Sequence, residues 1–110
     1  MNEKRLEVDI CKEETDRAYV HVTAILEDSE LTISGYDSGK AVSDFWGGSD
    51  YEYWYYFDKE NTSVLFSKIG ASKDEPLTAL KAKFHGLNAC RELRQYCEEE
   101  KIKYRFESWT

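Results

Sequence analysis

Three acids close to a run of aromatic rings, Asp44, Asp50 and Glu52, are the side chains best placed to do chemistry. Paired carboxylates serve general acid/base catalysis, and clustered ones bind calcium. A calcium loop, however, alternates oxygen ligands at fixed spacing and closes on a Glu, and that pattern is absent here. The simpler reading of these acids is a solvated loop. Gly35 to Lys40, GYDSGK, approaches a phosphate-binding loop but is one residue short, and it has Ala41 where the magnesium-binding hydroxyl belongs. Asp37 would also repel the phosphate, so the stretch does not specify a nucleotide site. His21 and His85 have no second histidine or cysteine at metal-ligand spacing, so no metal and no cofactor is expected. Of the three cysteines only Cys11 has a histidine within reach of a short hairpin, His21, and no local signature of a nucleophilic Cys–His pair surrounds them.

Tyrosine and tryptophan alternating with acids is the more informative pattern. Between Phe45 and Phe57 stand eight of the chain's sixteen aromatics. From Glu27 to Glu60 there are nine acids and two bases, a balance of minus seven that equals the net charge of the whole chain. The flanking segments cancel. Buried interface centres favour Tyr and Trp, and charge around them steers an oppositely charged partner. The alternative is that the rings fill space between a sheet and helices.

A chain of 110 residues suits one domain, residues 1–110, with its own core. A hydrophobic fraction of 41% and a single Pro argue for a folded protein. With a net charge of minus seven, nucleic acid and anionic membranes are repelled over a Debye length of about 8 Å, and a basic protein is the natural partner. MNEKRLEVDI has no apolar run of signal-peptide length, and no stretch reaches the roughly 20 apolar residues of a membrane span. The expected compartment is the cytoplasm, which also suits an odd number of cysteines. Cys90 and Cys97, seven apart on an expected helix, are about 10 Å apart along its axis and too distant for a disulfide.

Periodicity then supplies the elements that position these groups. Leu6, Val8 and Ile10 alternate with Arg5, Glu7 and Asp9 as a half-buried strand. Ala18, Val20, Val22, Ala24 and Leu26 share a face of a second strand, His21 lies on its other face, and Leu31 to Tyr36 forms a third after a tight acidic turn. Val42, Phe45 and Trp46 recur at helical spacing before Gly47 and Gly48, predicting a short helix. Tyr51, Tyr53, Tyr55 and Phe57 oppose Glu52, Trp54 and Tyr56 on a fourth strand. With rings on both faces, either both are covered or one awaits a partner. Helices are expected from Asp58 or Asn61 to Gly70, where SVLFSKI also fits a short strand, from Pro76 through Leu77, Leu80, Phe84 and Leu87 with Gly86 as the stop, and from Asn88 through Leu93 and Cys97. Ile102, Tyr104 and Phe106 alternate as a closing strand. The expected fold class is α+β, a mostly antiparallel sheet of about five strands with about three helices packed on one face.

The G-x-D-x-G stretch (Gly35, Asp37, Gly39), the aromatic–Gly end of the short helix (Phe45, Trp46, Gly47), Ser49 to Trp54 (SDYEYW) and Ile102 to Trp109 (IKYRFESW) together resemble a group of small acidic bacterial proteins. That group is similar to the immunity proteins of polymorphic toxin systems of the contact-dependent growth inhibition type. The resemblance implies a non-enzymatic cytosolic inhibitor that neutralises a cognate toxin, a basic nuclease domain. On that reading Asp37, Asp44, Asp50 and Glu52 imitate a phosphate backbone, while Trp46, Tyr51 and Trp54 anchor the contact. Two other readings stay open. One is an enzyme or ligand-binding domain with an aromatic pocket and Glu52 or Asp44 as base, and the other is an adaptor for another basic protein.

Overall fold

The computed structural model of the chain describes residues 5–16, 18–39 and 50–109. Five strands form one antiparallel sheet in sequence order: β1 (Leu6–Glu14), β2 (Tyr19–Glu27), β3 (Glu30–Ser38), β4 (Asp50–Phe57) and β5 (Arg105–Trp109). Between β4 and β5 lie α1 (Lys59–Ile69), α2 (Pro76–Lys83) and α3 (Ala89–Glu100). The fold is therefore α+β as expected, with five strands and three helices among the described residues. The short helix expected around Val42 lies outside the described residues, as do the candidate site residues Asp44 and Trp46.

Alternation sorts the strand side chains into two faces. Val22, Ala24, Leu31, Ile33, Tyr53, Tyr55 and Phe57 point to one side and are buried against Leu65, Leu77, Leu80, Phe84 and Leu93 of the helical segment. The hairpin of β2 and β3 closes on Asp28 and Ser29, both at positive φ (55° and 64°). Two such residues twist in the sense of the flanking strands, which makes the two-residue loop a tight one. β1 departs from plain alternation. Asp9 pairs with Thr23 and Cys11 with Val22, which leaves Ile10 as an extra, bulged residue. Both Ile10 and Cys11 are buried as a result, and the inward phase passes from Leu6 and Val8 to Cys11 and Glu13.

The helices start and stop where their end groups can be satisfied. Asp58 accepts the backbone N–H of Asn61 at 2.8 Å and caps α1, and Gly70 at φ 72° ends it. Thr62, 3% exposed, fixes α1 to the sheet: its Oγ accepts the Leu31 N–H at 3.0 Å and donates to the Phe57 carbonyl at 3.3 Å. α2 is shorter than its apolar spacing predicts. Phe84 turns to extended backbone to bury its ring, Gly86 adopts φ 81°, and Leu87 is 54% exposed instead of facing inward. The closing strand also begins later than expected, at Arg105, because Ile102 is used as a core residue in the connection from α3. Among the described residues no helix is long and apolar enough to cross a membrane.

Candidate functional site: the open face of the sheet

No described helix packs on the second face of the sheet. Its side chains form rows across the strands, which neighbour one another at about 4.8 Å. One row runs Lys12, His21, Tyr36, Glu52, Trp109, the next Asp9, Thr23, Ser34, Trp54, Glu107, and a third Glu7, Ile25, Thr32, Tyr56, Arg105. Tyr19 and Asp50 extend the face beyond the first row. Trp54, Tyr36 and Tyr56 are half-buried by their neighbours and Trp109 is 67% exposed.

The polar contacts of this face hold its rings in place. Tyr19 and Tyr36 meet edge to face with centroids 6.3 Å apart. Hydrogen bonding to the Asp50 carboxylate holds the Tyr36 phenol above its ordinary pKa. The Arg105 guanidinium lies 4.4 Å from the centre of the Tyr56 ring and also pairs with Glu107. His21 Nε2 and Asp9 Oδ1 are 2.8 Å apart, and that bond lowers the Asp9 pKa.

Charge is strongly divided between the two sides of the molecule. The strand residues of the open face include eight acids (Glu7, Asp9, Glu14, Glu27, Glu30, Asp50, Glu52, Glu107) and two bases, Lys12 and Arg105. Residues 58–104, which carry the helices, have eight acids and nine bases. A basic surface is attracted to the first side only.

The candidate residues fall on both faces. Asp50, Glu52 and Trp54 share the open face, but Asp37 and Tyr51 point to the helical side, so the segment 37–52 is not one continuous surface. Asp37 lies within β3, which runs two residues further than its sequence pattern predicts, and accepts the Tyr53 hydroxyl at 3.0 Å. Sequence reasoning missed Tyr19, Tyr36, Tyr56, Trp109 and the acids of β1 and β5. The alternation that separated Trp54 from Tyr53 would have found them, had it been carried across all five strands at once.

The groups with reactive potential sit on the inner side. Burial pushes the Cys11, Cys90 and Cys97 thiols up to about 11, which keeps them protonated and poor nucleophiles at neutral pH. Cys11 faces inward and His21 outward, so the two do not form a pair, and His21 has Asp9 and Thr23 as neighbours. The Asp37 carboxyl is held above its usual pKa by burial, a trend that the Tyr53 bond opposes without reversing. A carboxyl raised in the folded state binds protons more tightly there, so its contribution to stability is greatest below pH 3.8 and declines as pH rises through the folded value. Asp37→Asn is therefore expected to raise the melting temperature at pH 7, with the gain vanishing below pH 3.8; equal melting at both pH values would contradict the burial assigned to Asp37.

One surface depression, of about 420 Å³, borders the open face and shares Glu30, Thr32, Tyr56 and Arg105 with it; Asp58, Asn61, Lys103 and Tyr104 also line it. Another, of about 550 Å³, lies at the β1 edge between β1 and α2. Neither is lined by Glu52. Among the described residues no three His, Cys, Asp or Glu side chains come together as a metal site. Fold and surface together define a small α+β protein whose sheet is backed by helices on one side and presents an acidic aromatic face on the other. Compared with known proteins, the chain matches no family model, no curated protein and no solved structure.

Proposed function

We propose that this protein is a cytoplasmic inhibitor of the immunity type, which binds a basic toxin domain, most simply a nuclease, through the open face of its sheet. The observation that carries the reading is the coincidence of eight acids with Trp54, Tyr36, Tyr56 and Trp109 on one face that no described helix covers, opposite a helical side of balanced charge. Aromatic rings supply contact area at small entropic cost, and the acids accelerate association and discriminate against acidic competitors. The resemblance to immunity proteins supports the same reading from sequence. An adaptor for another basic protein would use this surface in the same way and differ only in partner.

Affinity capture of the tagged protein from its native cells, with mass spectrometry and a salt titration of what is recovered, is the first test. A stoichiometric basic toxin fragment whose affinity falls steadily with salt is expected. Recovery of no protein partner, or of one indifferent to salt, would contradict the proposal and favour the ligand-binding alternative at the 420 Å³ depression.

A further inference from the structure

The two edges of the sheet are treated differently. β1 is interrupted by its bulge, and the carbonyl of the bulged Ile10 accepts the Gly86 N–H at 3.1 Å, which ties that edge to the connection between α2 and α3. Bulges and covering loops are the usual means of blocking a sheet edge. β5 has neither. Its residues, RFESW, are all exposed, it pairs only with β4 among the described strands, and it contains no Pro, Gly or Lys. Just before it, the Lys103 N–H is taken by Asn61 Oδ1 at 2.9 Å, so the open backbone begins at Tyr104.

We propose that β5 pairs antiparallel with the β5 of a second copy of this chain about a two-fold axis through Phe106, joining two five-stranded sheets into one of ten. The side-chain order selects this register. With Phe106 opposite itself, Arg105 of each copy faces Glu107 of the other, giving two opposite-charge cross-strand pairs. The two Phe106 rings, each 44% exposed beside Tyr55, then meet on the helical side. Moving the axis to Glu107 or to Arg105 places like charges directly opposite and is disfavoured. A two-fold axis normal to the sheet leaves both helical layers on one side and makes the open faces continuous.

Arg105 and Glu107 already pair along the strand within one copy, so dimerisation exchanges partners and the ion pairs set register more than affinity. A ladder of five residues is also smaller than a standard interface. The dimer is consequently a reversible, concentration-dependent one. It goes beyond the proposed inhibitory role and does not depend on it.

Sedimentation velocity over a wide concentration range tests the proposal. The wild-type mass is expected to rise from 12.9 kDa toward twice that value. Arg105→Glu alone and Glu107→Arg alone place like charges across the axis and are expected to stay monomeric at concentrations at least about tenfold higher. An equimolar mixture of the two variants restores opposite charges between chains, though not within either chain, and is expected to recover the dimer. Circular dichroism confirms that both variants fold. A monomeric wild type, single variants that dimerise like wild type, or folded variants that stay apart when mixed would each overturn the proposal.

Discussion

Gly35→Ala is expected to destabilise the protein by about 3 kcal/mol, lowering the thermal midpoint by more than about ten degrees. Gly35 stands opposite Tyr53 on the inner side of the sheet, and the Tyr53 ring lies over it so closely that a Cβ on residue 35 would be 2.0 Å from ring Cε2 and 2.1 Å from Cζ. The ring cannot yield at small cost. It packs between Tyr51 and Tyr55, with centroids 5.2 and 6.2 Å away, and its hydroxyl donates to Asp37. Displacing it loses packing and leaves a half-buried carboxylate without its donor. Tyr53→Phe, which removes only the hydroxyl, should cost less. In a double-mutant cycle with Tyr53→Ala the two losses should fall well short of additive, since the second change removes the ring that the first one meets. A Gly35→Ala midpoint within a degree or so of wild type would show that the ring does not occupy this position.

Trp54→Ala is the substitution expected to cost most in binding. Trp54 lies on the open face in a row with Ser34, Thr23 and Asp9 on one side and Glu107 on the other, so no other ring in that row replaces its contact area. Tryptophans in such settings are frequent hot spots, worth about 2 kcal/mol or more, which is roughly a thirtyfold loss of affinity. The fold should tolerate the change because the ring takes no part in the helix-backed core. Calorimetric titration of the captured partner, with the far-ultraviolet circular dichroism of the variant as control, checks both statements. Unchanged affinity would remove Trp54 from the site, and a collapsed spectrum would reassign it to the core.

Much of the fold was legible in the sequence because period-two alternation is strong in β2, β3 and β4 and because Asp58, Gly70 and Pro76 mark helix ends chemically. The bulge at Ile10 was not legible. Leu6, Val8 and Ile10 continue the alternation without a break, and only pairing with β2 shows that Cys11 also turns inward. Leu87 keeps the apolar spacing of α2 and Gly86 marks a stop, but periodicity does not show that the helix already ends at Lys83 with Phe84 extended. Gly35 falls within the expected third strand, but nothing in its spacing shows that its missing side chain makes room for Tyr53. The candidate site was only half legible for a related reason. A surface assembled from every strand appears in the sequence as separate residues, and a contiguous segment such as 37–52 alternates between faces as soon as it becomes strand.

The most direct test of the inhibitor reading compares charge reversal on the two sides of the molecule against the captured partner. Asp50→Lys/Glu52→Lys changes the open face, and Glu92→Lys/Glu99→Lys makes the same net change on exposed positions of α3. The open-face pair is expected to weaken binding by about a hundredfold or more at physiological salt and to flatten its salt dependence, while the helical pair leaves affinity within a few-fold of wild type. Equal losses from the two pairs would reduce the interaction to net charge alone, and a loss confined to the α3 pair would place the partner on the helical side and contradict the account.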